Sequence, residues 1–225
     1  MISNEKNKLL FLPRLFTAQK VAFSVAVLVI FHLVGFWGLA LSGNPVYFQQ
    51  LTPLNLLLTV FLLFLNCRAY NKALLLFVFL TFAVGFLAEV IGVHTGLLFG
   101  NYQYGAALGF KLWQVPLLIG VNWVMLVYCS GIAARNLLKN PFSAALLGAL
   151  LMVLLDFLIE PVAIKYDFWT WQTAEIPLWN YVCWLALALV LQVYFQFSGV
   201  LKNNALAWPV LVIQAVFFFA LNLFL

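Results

Sequence analysis

Residues 142–160 read FSAALLGALLMVLLDFLIE, an apolar run whose only charged residues are Asp156 and Glu160 near its end. A spanning helix needs about 20 mostly apolar residues, because the hydrocarbon core is about 30 Å thick. Within lipid a helix satisfies its own backbone N–H and C=O groups, which an irregular chain cannot do. Six further runs have the same character: 21–42, 52–67, 73–91, 115–134, 177–197 and 206–225. Pro53, Pro116, Pro141 and Pro177 each stand at or beside the start of a run, where a missing N–H costs least. The expected fold is all-α: a polytopic integral membrane protein with about seven transmembrane helices, in one domain spanning 1–225.

The composition agrees. Of 225 residues, 66% are apolar, 17% aromatic and only 8% charged, and the mean hydropathy is +1.09. A soluble domain averages roughly 45–50% apolar and about 25% charged. A soluble enzyme, a disordered chain and a nucleic-acid-binding domain are therefore excluded. Cys67, Cys129 and Cys183 are odd in number and far apart, which suggests neither a disulfide framework nor a metal site. His32 and His94 are too few for the clustered histidines of membrane desaturases and hydroxylases. The polar arm 1–20 leads into an apolar run too long for a signal-peptide core, so no cleavage is expected.

The cations set orientation. The arm carries Lys6, Lys8, Arg14 and Lys20, and alternate connections on the same side carry Arg68, Lys72, Arg135, Lys139 and Lys202. The other side has only Lys111 and Lys165. By the positive-inside rule, the N-terminus faces the cytoplasm and the C-terminus lies outside. A multi-pass cell-membrane protein follows, with a bacterial or archaeal inner membrane expected.

Two outer loops stand apart. Residues 92–114 read GVHTGLLFGNYQYGAALGFKLWQ and residues 161–176 read PVAIKYDFWTWQTAEI. Both are rich in aromatics, partly as an interfacial belt would be. Gly92, Gly96 and Gly100 recur every fourth position, a spacing that permits close helix approach or a flat ligand. A faint parallel repeat spans this region. A run ending near Glu89 is followed by a loop, Pro116 and Trp123; a run ending near Glu160 is followed by a loop, Pro177 and Trp184. In each case the tryptophan stands seven residues after the proline.

Glu89, Asp156 and Glu160 lie inside apolar runs near their outer ends. A charged side chain at the centre of a spanning helix costs roughly 2.5–3.5 kcal/mol, so intramembrane acids are candidate functional groups. Pairing with Lys111 or Lys165, or snorkelling to the interface, is the bland alternative. Asp156 and Glu160 are four residues apart and share one helix face. Two carboxylates so close, with little water, should not both ionise. Asn122 and Asn180 lie at similar depth and could hydrogen-bond the acids or a water. His94, Tyr102 and Tyr104 follow Glu89. Trp113, Trp123, Trp169, Trp171, Trp179 and Trp184 suit interfacial anchors, and those at the depth of the acids would form a wall able to stabilise positive charge. Asp167 and Glu175 read as solvated loop residues, and His32, Asn55, Asn66, Gln192, Gln214 and Asn222 as packing residues.

The segments EVIGVHTG (89–96), FGNYQYG (99–105), LGFKLWQVP (108–116), DFLIEPVA (156–163) and WTW (169–171) resemble the carotenoid biosynthesis membrane proteins. That family includes carotenoid 1,2-hydratases acting on γ-carotene, lycopene-type and bacterioruberin-type ends. The resemblance covers about 80–190; the first, second and last runs match in hydropathy alone. It implies hydration of the terminal C1–C2 double bond of an acyclic carotenoid, with membrane lipid around it and other carotenoid-pathway enzymes as possible partners. The chemistry fits the residues: a carboxylic acid protonates C2, aromatic faces stabilise the cation at C1, and a carboxylate deprotonates the attacking water. Asp156 and Glu160 are the expected acid–base pair and Glu89 the second base or water holder; which acid donates stays open. No cofactor or metal is required. The alternatives are a lycopene cyclase using the same protonation, or a non-catalytic carotenoid or lipid carrier or transporter.

Overall fold

A computed structural model describes residues 2–173 and 175–225, with side chains from residue 18 onward. Helix α1 (Ile2–Phe36) runs into a π turn at Trp37–Leu41, so the polar arm continues the first span as helix. The short α2 (Pro45–Gln49) precedes α3 (Thr52–Leu65). Then follow α4 (Lys72–Thr95), α5 (Leu117–Leu137), α6 (Pro141–Lys165), α7 (Leu178–Phe197) and α8 (Ala207–Asn222). The protein is an all-α polytopic membrane protein, with six segments long and apolar enough to cross a membrane.

Helix α8, at 16 residues, is shorter than those six, yet it traverses the bundle. Just before it, Asn204 donates to the Leu63 carbonyl at the end of α3 (2.8 Å). Just after it, the Phe224 carbonyl accepts from Lys165 at the opposite end of α6 (2.9 Å). Helix α5 sits at the centre, packed on α4, α6, α7 and α8. It is the most buried span, while the outer helices expose Leu75, Phe79, Leu154 and Val190 to the lipid side. Lys20 donates to Leu65 O and Asn66 to Ser24 Oγ, so the cation-bearing ends of α1 and α3 meet at one end of the bundle.

Several boundaries differ from the hydropathy reading, and three of them flank the two long loops. Helix α4 continues past 91 to Thr95, where Gly96 at φ +67° adopts the left-handed conformation that ends a helix. Val115 and Pro116 are strand, not helix. Helix α6 passes through Pro161 to Lys165: a proline removes one donor, but the next turn still closes, with Tyr166 N–H donating to Val162 O (3.0 Å).

The two outer loops are not independent. Strand β1 (Tyr102–Tyr104) pairs antiparallel with β4 (Trp169–Trp171), in the register Tyr102↔Trp171 and Tyr104↔Trp169. Strands β2 (Lys111–Leu112) and β3 (Val115–Pro116) form a hairpin. Its two turn residues, Trp113 and Gln114, both have positive φ, as a tight hairpin turn of matching twist requires. Gly105 allows the loops to close on each other: its N–H donates to Phe168 O (3.0 Å), and a Cβ there would lie 2.0 Å from Asp167 O. Asp167, read as merely solvated, binds the neighbouring Ala106 N–H through Oδ2 (3.1 Å).

Candidate active site

Alternate strand residues point to one face, and here that face carries Tyr102, Tyr104, Trp169 and Trp171 over the ends of α4 and α6. Beneath them Glu89, Asp156 and Glu160 are 3%, 2% and 1% exposed. Glu89 Oε2 accepts from Tyr102 (2.5 Å) and Tyr104 (2.8 Å), and its Oε1 accepts from the Trp123 indole (3.1 Å). Glu160 Oε2 accepts from the Trp169 and Trp171 indoles (both 2.9 Å), and its Oε1 accepts from Asn180 Nδ2 (3.0 Å). The same Asn180 nitrogen lies 3.3 Å from Asp156 Oδ2, so one amide bridges the two carboxyls of α6.

The three acids are thus unequally provided for. An ionised carboxylate accepts hydrogen bonds and donates none, at about four lone-pair sites. Each glutamate takes three donors, while Asp156 takes one long bond. The cation-pairing alternative does not apply: Lys111 donates to Tyr104 O (2.5 Å) and Lys165 to Phe224 O. Burial, then the adjacent Glu89 carboxylate, push the Tyr102 and Tyr104 phenols well above the ordinary tyrosine value. Both phenols therefore keep the proton that each donates.

A cavity of about 260 Å³ opens beside the acids, lined by Glu89, Asp156 and Glu160 together with Tyr102, Tyr104, Trp169, Trp171 and Trp184. Trp184 stacks on the fully buried Trp123, with centroids 4.2 Å apart and ring planes at 14°. Asn122 lines the cavity without reaching the acids, and its amide makes no hydrogen bond to the described residues. Of the site residues singled out from the sequence, only His94 is not brought in; it is exposed and does not line the cavity. The glycine spacing also has a different meaning from helix approach. Gly92 makes room for Phe99 and the Tyr102 hydroxyl, Gly96 ends α4, and Gly100 packs near Pro177.

His32, Asn55 and Gln214, which read as packing residues, line the same cavity from α1, α3 and α8. Nothing in their spacing announces this, since they are scattered over most of the chain. Among the described residues no group of three His, Cys, Asp or Glu is arranged to hold a metal ion.

The family described as carotenoid biosynthesis protein matches residues 51–225, beyond the 80–190 that carry the recognisable segments. A bisanhydrobacterioruberin hydratase of Haloarcula japonica is 31% identical over 118 residues, which is 49% of this chain and 40% of that protein. The chain therefore matches well under half the length of that relative. No solved structure matches.

Proposed function

The chain belongs to the family of carotenoid biosynthesis proteins, and from that premise we propose that it hydrates the terminal C1–C2 double bond of an acyclic carotenoid end group. The observation that carries this reading is the convergence of three buried carboxyls, unequally hydrogen-bonded, on one aromatic-lined cavity. The similarity to a protein named as a hydratase supports addition of water over other uses of the site.

In this reading Asp156 is the proton donor. What supports the choice is its single long hydrogen bond: its carboxyl is the one free to point a proton at substrate, while the glutamates are held by donors as acceptors. Protonation at C2 consumes the π pair and leaves a tertiary cation at C1. The faces of Trp184, Trp169 and Trp171 stabilise that cation. A water held near Asn122 forms the C–O bond at C1, and Glu160 takes the proton the water loses. Each glutamate keeps one acceptor site beyond its three donors, so Glu160 retains room for that proton. Return of a proton to Asp156 restores the site, and the net change is one water gained. Glu89 holds the tyrosine pair in place and is the second base or water holder. The resulting enzyme is a cofactor-independent hydro-lyase at the outer side of the membrane.

The test is expression in a lycopene-accumulating host followed by mass spectrometry of the pigments. A product heavier by one water per reacted end is expected. Pigment of unchanged mass but altered spectrum would indicate cyclisation, and unchanged pigment with confirmed membrane insertion would count against the reading.

A further inference from the structure

The cavity has a second polar wall that the hydration chemistry does not use. His32 on α1 and Gln214 on α8 are 6% and 8% exposed, and Asn55 on α3 faces the same space. His32 Nδ1 lies 2.8 Å from Leu28 O. A carbonyl only accepts, so Nδ1 carries the hydrogen and Nε2 is left as an acceptor. Asn55 Oδ1 is shielded from solvent and has no hydrogen-bond partner. The Gln214 side chain makes no hydrogen bond to another described residue. Polar groups left unpaired at membrane depth are costly, and these three, from three helices, gain nothing from one another.

What they offer together is specific in chemistry. His32 Nε2 and Asn55 Oδ1 accept; the Asn55 and Gln214 amides donate. Such a set matches a hydroxyl, which does both. No lysine or arginine lines the cavity, so the group is neutral. Phe217 stands edge-on to His32 (centroids 5.2 Å apart), and the wall continues through Leu56 and Phe218, so the surroundings suit a hydrocarbon skeleton. The acids lie on α4 and α6 in the same cavity of about 260 Å³. One end group can therefore touch both walls.

We infer that His32, Asn55 and Gln214 form a hydroxyl-binding subsite, selecting end groups that carry an alcohol near the reacting double bond over plain hydrocarbon ends. This rests on the carotenoid reading above. The same groups could hold a water, and the experiment separates the two. Full-length protein in detergent is loaded with lycopene, whose polyene quenches the cavity tryptophans. It is then titrated with linalool, a small acyclic terpene bearing a trisubstituted alkene and a tertiary hydroxyl, or with myrcene, its hydrocarbon counterpart.

Linalool should displace lycopene at a concentration at least about tenfold lower than myrcene, since a site built for a hydroxyl disfavours the analogue lacking it. N55L and Q214L should each bring linalool close to myrcene while leaving myrcene unchanged. Equal displacement by the two terpenes in the unaltered protein would overturn the subsite in favour of a resident water. A linalool preference that survives both substitutions, or a parallel weakening of both terpenes, would overturn it as well. Failure of lycopene itself to quench would remove the carotenoid reading first, and the subsite with it.

Discussion

The hydrogen-bond geometry around the two glutamates makes their amide substitutions unequal, although both replace one oxygen by NH2. In Glu89→Gln, the oxygen can stay where Tyr102 and Tyr104 donate, which turns the NH2 toward the Trp123 indole N–H. Trp123 is fully buried and stacked on Trp184 at 4.2 Å, and an indole only donates, so two donors face each other. Turned the other way, the amide satisfies Trp123 but deprives two buried phenols of their acceptor. Either orientation strands at least one buried donor, at about 1–3 kcal/mol. For a chain of this size that is a fall of about 2–12 °C in Tm. In Glu160→Gln, the oxygen stays with the Trp169 and Trp171 indoles and the NH2 turns toward Asn180. The Asn180 amide can flip and accept from it. The flipped oxygen can also accept from Asp156 where that carboxyl is protonated, and the displaced Asn180 NH2 turns toward the cavity that this residue lines rather than against another donor. Thermal unfolding in detergent should therefore show Glu89→Gln clearly below Glu160→Gln, which stays near the unaltered protein. Adding Trp123→Phe should cost less in the Glu89→Gln background than alone, because the stranded donor is gone. Equal Tm values for the two amide variants would refute this account of the network.

Asp156→Asn should lower hydration by about 10²–10⁴-fold, the usual contribution of a general acid, while retaining bound pigment; pigment mass spectrometry with a co-purification assay checks both. Trp184→Leu, which removes one face from the developing cation, should reduce turnover by about 5–30-fold, measured in membranes of matched expression. Gly105→Ala should break the closure of the two outer loops and abolish activity, because its Cβ would meet Asp167 O at 2.0 Å, a backbone atom that cannot step aside; protease sensitivity of the 92–114 loop would rise with it. At alkaline pH, Tyr102 and Tyr104 give a defined sign. Their folded values lie well above the ordinary one, so their stabilising contribution is full below about pH 10 and lost as pH climbs toward the folded values. Unfolding measured against pH should show that loss in the unaltered protein and a flatter alkaline limb in a Tyr102→Phe/Tyr104→Phe variant.

The spans were legible because lipid demands one thing of every residue along them, and hydropathy reports it directly. The acids were legible for the converse reason: Glu89, Asp156 and Glu160 break that demand. Their donors were legible in kind, since the loops carried the tyrosines and tryptophans, but not in geometry. Strand pairing between 102–104 and 169–171 joins two separate loops and is a long-range event with no local signature. His94 stands five residues after Glu89 among recognisable residues, but on a helix of 3.6 residues per turn that spacing turns it to another face of α4, where it is exposed. A single polar residue in an apolar span looks the same whether it packs or lines a cavity, so the sequence does not set His32, Asn55 and Gln214 apart from packing residues.

The repeat in the sequence has a geometric counterpart, and it bears on where the proposed chemistry would sit. Glu89 takes two donors from β1 and one from α5; Glu160 takes two from β4 and one from α7. Strands β1 and β4 pair antiparallel, and Trp123 and Trp184, each seven residues after its proline, stack face to face at 4.2 Å. Equivalent elements meeting in this way imply a local two-fold axis along the bundle, as parallel repeats in a membrane would have. One turn before each glutamate the halves diverge. Before Glu160 stands Asp156; before Glu89 stands Gly85, where a Cβ would lie 2.4 Å from Trp123 Cγ. In the first half the indole occupies the space that an acid would need. In the second half Trp184 lies against the cavity, and Asp156 faces that open space. A symmetric pair of braced glutamates thus gains, on one side only, a single carboxyl held by one long bond, as the proposed one-proton, one-water reaction would require.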